Sequence, residues 1–134
     1  DFCLSRGLGD VYKRQHLDAY KDRYAKDFST ALNNTKIAVT CTGAPNSRYG
    51  KYVEIPMCGT AIAGDIPGED QENFRKFVIE INMDMSDEEI VEKLKRYVES
   101  DEERNELIKR GQEWSADYTQ ERYAERFVEI LEIL

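Results

Sequence analysis

Histidine is almost missing from this sequence. The single one, His16, precedes every patterned segment, so histidine-based acid–base chemistry and a histidine metal cluster are not expected in the rest of the chain. Cysteine is scarce too. Cys3, Cys41 and Cys58 show no CxxC spacing, which argues against a metal site or a disulfide framework and fits a reducing cytoplasm. No apolar run approaches the roughly eighteen residues of a membrane-spanning helix. The expectation is a cytoplasmic protein, with peripheral contact at the inner membrane face as its limit. Basic charge is also in deficit: 19 Lys and Arg face 27 Asp and Glu, a formal charge of −8. That balance disfavours nucleic acid or an anionic membrane as the main partner.

One stretch is set aside before the fold is argued. Ser5 to Gln15, SRGLGDVYKRQ, is the in-frame translation of a transposase-type sequencing adapter, and Asp1 to Leu4 lie upstream of it. Residues 1–15 are therefore read as adapter-derived and non-native, and the Gly7-Leu8-Gly9 turn is given no phosphate-loop meaning. Native sequence is expected from His16, as a fragment whose amino-terminal continuation is missing. Without Arg6, Lys13, Arg14, Asp1 and Asp10, residues 16–134 keep 16 basic and 25 acidic side chains, a net charge of −9 over 119 residues. Such a length supports one modest core.

The pattern along this stretch alternates. Tyr20, Tyr24, Phe28 and Leu32 recur at i, i+4 and predict an amphipathic helix from Asp18 to about Leu32, stopped by Asn33-Asn34. Lys36 to Cys41 is a β-branched run without polar alternation, as expected of a strand covered on both faces. A loop, Thr42 to Ser47, leads to a helix expected over Arg48 to Met57, with Pro56 distorting its last turn or stopping it early. Thr60 to Gly64 reads as a second buried strand, Gln71 to Arg75 as a short helix and Phe77 to Ile81 as a third strand. Ser86-Asp87-Glu88-Glu89 is a capping box opening a helix whose core face is Ile90, Leu94 and Val98, and Ser100-Asp101-Glu102-Glu103 repeats it ahead of Leu107, Ile108 and Gly111. A last helix runs from about Thr119 through Tyr123, Phe127 and Leu131, its spaced aromatics read as core, with Trp114 and Tyr118 anchoring the last two helices. The fold class is α/β: a partial Rossmann-like parallel sheet of about three strands with C-terminal helices.

Chemistry concentrates in Asn46-Ser47-Arg48-Tyr49-Gly50-Lys51-Tyr52-Val53-Glu54. This segment follows a strand and opens a helix, the junction at which open parallel sheets bind ligands. Free amides at a helix start suit a diphosphate, and Arg48 and Lys51 add positive charge in the same turn. Glu54 lies further along the helix among Val53, Ile55 and Met57, where a carboxylate needs a partner or a ligand; it is placed to accept both hydroxyls of a ribose. Asn46 and Ser47 also fit as helix caps.

From Lys51 the run KYVEIPMCGTAI resembles the K-[YF]-x-E-x-x-A-x-G segment of group-one glycosyltransferases with the GT-B fold, in the branch of spore-maturation-type enzymes. The likeness extends from about Arg23 to the tail helix. It implies that residues 16–134 are the C-terminal, nucleotide-sugar-binding domain of a truncated GT-B protein. By this resemblance Glu54 binds the donor ribose, and the amides of Ser47 to Gly50 meet the diphosphate. Asn46 stands where many relatives carry a second glutamate that contacts the donor sugar, and Met57 replaces alanine, so neither retention nor inversion of the sugar follows.

The implied reaction moves a sugar from a nucleotide donor to an acceptor hydroxyl of a glycan, lipid-linked sugar or protein. Arg48 and Lys51 would face the departing diphosphate, no divalent metal or other cofactor would be needed, and any acceptor-activating base would sit in the missing amino-terminal domain. No catalytic residue is assigned within this piece, which is expected to be inactive alone. Two alternatives remain: a non-catalytic α/β interaction module, and a sugar-nucleotide epimerase of the same architecture.

Overall fold

The computed structural model describes residues 18–44 and 46–133, with side chains from residue 26 onward. The stretch 1–15 and the Tyr20 and Tyr24 side chains of the first helix lie outside the described residues. The chain divides into two compact units, Asp1–Ala31 and Leu32–Leu134. The described part of the first is most of α1, Asp18–Asn33, whose last two residues belong to the second.

In the second unit follow β1 (Ile37–Val39), α2 (Lys51–Met57), β2 (Ala61–Gly64), α3 (Gln71–Phe74), β3 (Val78–Glu80), α4 (Asp87–Glu99), α5 (Asp101–Ser115), a 3₁₀ turn (Ala116–Tyr118) and α6 (Gln120–Ile133). The strands form one parallel sheet in the order β1-β2-β3, with Ile37 opposite Ala61 and Ile62 opposite Val78. Parallel strands in chain order, joined through helices, are the Rossmann-like arrangement that the alternating pattern implies.

β2 is central and buried along all four residues. Ala61, Ala63 and Ile79 form the core on one face, covered by Leu94 and Tyr97 of α4 and by Leu107 and Ile108 of α5. Ile62 and Val78 are buried on the other. Each Ile buried this way contributes about 1.5–3 kcal/mol. β1 departs from expectation. Instead of being covered on both faces it is an edge strand among the described residues, with Val39 64% exposed. A short apolar run has the same composition in a central and in an edge position, so pattern alone does not separate them.

The capping box on α4 is complete: the Glu89 amide donates to Ser86 Oγ (3.3 Å) and the Ser86 amide to Glu89 Oε2 (2.8 Å). Its repeat at Ser100 is half made. Ser100 Oγ accepts the Glu103 amide (3.3 Å), but the Glu103 carboxylate turns to Arg96 (2.6 and 3.0 Å). An arginine offering two parallel N–H groups outcompetes one backbone amide. On α4 the core face is Leu94 and Tyr97, and Val98 is exposed rather than core.

α2 begins at Lys51, three residues later than expected, because Ser47 is held in an antiparallel bridge with Gly43. The helix runs through Pro56 to Met57 and ends in a Schellman turn. The Gly59 amide donates to Pro56 O (2.9 Å) and the Thr60 amide to Ile55 O (3.4 Å), with Gly59 at φ 71°. That turn delivers the chain straight into β2.

α6 corrects a second expectation. Tyr123 is 75% and Phe127 55% exposed, and α6 buries no residue, so its spaced aromatics are not core among the described residues. Periodicity identifies an apolar face, not what covers it. Trp114 does anchor the end of α5: its ring lies 4.8 Å from Phe74, 5.2 Å from Phe77 and 4.5 Å from Tyr118.

At Gly111 α5 packs against Pro56 of α2 and against Phe77, just ahead of β3. A Cβ there would sit 3.1 Å from Pro56 Cβ and 3.2 Å from the Phe77 ring, both fully buried. Ala gains about 1 kcal/mol of helix propensity over Gly, but overpacking costs about 1–3 kcal/mol. Neither a proline ring nor Phe77, wedged between Phe74 and Trp114, can retreat. We expect Gly111→Ala to lower the unfolding free energy by about 1 kcal/mol in urea titrations; an increase would show that the helices part freely.

Candidate functional site

All three strands point the same way, so the loops after β1 and β2 emerge at one carboxyl edge. There the two loops are tied together at successive points. The Thr42 amide donates to Asp65 Oδ1 (2.8 Å) and the Thr42 hydroxyl to Asp65 Oδ2. The Tyr52 hydroxyl, buried at the base of α2, reaches the Asp65 carbonyl (2.6 Å) and Oδ1 (3.1 Å). Further out the Gly68 amide donates to Asn46 O (2.8 Å), and the Arg48 amide to Glu69 Oε1 (3.0 Å).

Burial alone would raise the Asp65 pKa. Hydrogen bonds from the Thr42 hydroxyl and amide and from Tyr52 outweigh it and hold the carboxyl below its usual value. For Tyr52, burial first and then the Asp65 charge push the phenol upward, so it remains a donor at neutral pH. Burial, then the Glu54 charge, also raises the Cys58 thiol, which keeps it protonated and a poor nucleophile.

The residues expected to form the site are gathered at this edge, with partners that the sequence did not disclose. Asn46 takes the left-handed conformation at φ 62°, as Asn tolerates, and turns the loop back. The Ser47 amide is used by Gly43 O (3.1 Å) and the Arg48 amide by Glu69. Among the described residues, the Tyr49 and Gly50 amides donate to no protein acceptor. Lys51 and Glu54 form an ion pair of 2.6 Å. Glu54 is therefore not a carboxylate among apolar groups: helical geometry turns Ile55 inward and Glu54 outward, and its side chain is 49% exposed. Seven residues make a weak macrodipole, so positive potential here rests mainly on the side chains.

Arg48 has the richest surroundings. Its Nε lies 3.7 Å from Glu69 Oε1, and its guanidinium carbon lies 4.6 Å from the centre of the Tyr118 ring and 5.6 Å from that of Trp114. Asp65 and Glu69 were not read as site residues from the sequence, and Tyr118 was expected only to anchor the last helices. A signal existed for Asp65, an acidic residue directly after the buried run AIAG at a parallel strand's carboxyl end. None existed for Glu69 or Tyr118, whose roles depend on contacts across 21 residues and more.

Among the described residues, no group of three or more His, Cys, Asp or Glu side chains could hold a metal ion, and no helix is long and apolar enough to cross a membrane. The edge thus belongs to an α/β domain that can present cations, two unused amides and a helix-borne carboxylate to an anionic ligand. A family model described as glycosyl transferase-like matches residues 6–132, and the chain belongs to that family. Membership assigns the domain to glycosyl transfer in general, with sugar donor and acceptor substrates. The matched interval begins within the stretch 1–15. Neither a curated protein nor a solved structure gives a match.

The depressed Asp65 pKa has a definite consequence. The carboxylate's stabilising contribution is complete above the ordinary carboxyl range, about pH 4, and is lost as pH falls through the lower folded value. Asp65→Asn should cost about 1–2 kcal/mol at pH 7. Urea midpoints of wild type and variant should then converge in strong acid. A gap of undiminished size there would show that shape, not charge, holds the loops.

Proposed function

We propose that this chain binds a nucleotide-sugar donor at the carboxyl edge of its sheet and serves transfer of the sugar to an acceptor hydroxyl. The carrying observation is the pairing of two cross-tied loops with Arg48, the Tyr49 and Gly50 amides, Lys51 and Glu54 within one short segment. In this reading Asn46 and Ser47 shape the loop, while Arg48, Tyr49 and Gly50 meet the diphosphate. Glu54 accepts hydrogen bonds from the ribose hydroxyls, and Lys51, 2.6 Å from it, orients its carboxylate.

The chemistry then follows from charge. As the bond between the sugar and the diphosphate breaks, negative charge collects on the departing oxygen, and fixed cations and N–H groups stabilise it without reorganising. Side-chain cations supply this charge, so the reaction is metal-independent. The acceptor hydroxyl gives up its proton to a base outside residues 16–134, in the amino-terminal domain of a GT-B architecture. The acceptor is a glycan, a lipid-linked sugar or a protein, and the reaction is cytoplasmic. Residues 1–15 take no part.

Glu69 occupies the Arg48 amide as an internal anion and would yield to the donor. Calorimetric titration with nucleoside diphosphates tests both carboxylates. Glu54→Ala is expected to weaken binding at least tenfold, about 1.4 kcal/mol, and Glu69→Gln to strengthen it. Unchanged affinity in Glu54→Ala would remove the ribose role.

A further inference from the structure

We propose that Tyr118 and Trp114, at the corner between α5 and α6, are positioning residues that hold Arg48 for the donor diphosphate. This rests on the donor reading of the same edge and extends the site to a segment about seventy residues further along the chain than Arg48. An arginine free in solvent samples many rotamers, and fixing it costs up to about 2 kcal/mol. Here that cost is met in advance. The guanidinium carbon stands 4.6 Å from the Tyr118 centroid and 5.6 Å from that of Trp114, and the side chain is only 27% exposed. Ring faces attract a cation over its flat side and leave the N–H groups, which lie in the guanidinium plane, for an oxyanion.

The rings are themselves fixed. The Trp114 indole N–H donates to Asp70 Oδ2 (3.0 Å), in the same loop that supplies Glu69, and Trp114 packs on the buried rings of Phe74 and Phe77. Arg48 is thus registered against the protein core through a chain of aromatic contacts. The Tyr118 hydroxyl makes no hydrogen bond among the described residues, so the ring face is what this side chain contributes. Glu69, 3.7 Å from Arg48 Nε, completes the arrangement as the counterion that stands in the phosphate position until a donor arrives.

The test uses the full 134-residue chain, titrated calorimetrically with UDP, GDP, ADP and CDP, the tightest being carried forward. Tyr118→Leu should weaken binding about fivefold while Tyr118→Phe stays within about twofold of wild type. Placed in an Arg48→Ala background, Tyr118→Leu should have no further effect, because the ring acts through the arginine. Tyr118→Met serves as a second ring-less variant should the leucine chain not fold. Two results would overturn the positioning role and leave the donor reading standing: a Tyr118→Leu loss that persists in Arg48→Ala, or wild-type affinity in Tyr118→Leu when Arg48→Ala alone is weakened. If wild type binds none of the four nucleotides, both fall.

Discussion

The Asp65 carboxylate, at the end of the central strand, accepts from an amide and a hydroxyl of the loop after β1 and from the buried phenol of α2. Without these bonds the segment Asn46 to Gly50 would, among the described residues, be tied to the loop after β2 only through Gly68 and Glu69, both on exposed chain. A charged acceptor serving several donors is worth more than neutral pairs of the same geometry. The position of Arg48 and the spacing of the two edge loops follow from this clamp. Its reach into α2 through Tyr52 also ties the edge to the hydrophobic core, since that ring packs edge-on against Phe74 at 5.5 Å.

Much of the fold was legible because it depends on local pattern. The run TAIAG reads as a buried strand, and SDEE before an apolar i, i+4 series as the opening of a helix; both are where the sequence put them. The misreadings share a cause. Val39, Val98, Tyr123 and Phe127 are apolar at the right period, yet each is exposed, because period fixes which residues share a face and only the assembled sheet decides whether that face is covered. The later start of α2 arose from the bridge between Gly43 and Ser47, a contact that no propensity encodes.

The site was half legible. Arg48, Lys51 and Glu54 stood out by charge and spacing, and they do lie at the carboxyl edge. Their partners did not stand out. Lys51 and Glu54 are an i, i+3 pair that sequence spacing allows but does not require, and Glu69 meets Arg48 through folding alone. What looked like free cations is a set of matched ion pairs with aromatic support, a better-ordered arrangement than two first-turn residues in solvent.

That matching governs how a charged ligand would arrive. With Arg48 beside Glu69 and Lys51 on Glu54, the edge carries little net field, and the chain as a whole bears −8. An incoming dianion is therefore repelled only within about one Debye length, about 10 Å at 0.1 M salt, and gains attraction only on contact, when it exchanges with a carboxylate. Added salt shortens the repulsion and weakens the final contact. Encounter thus quickens while residence shortens, the reverse of the steering seen where a basic cleft draws anions in.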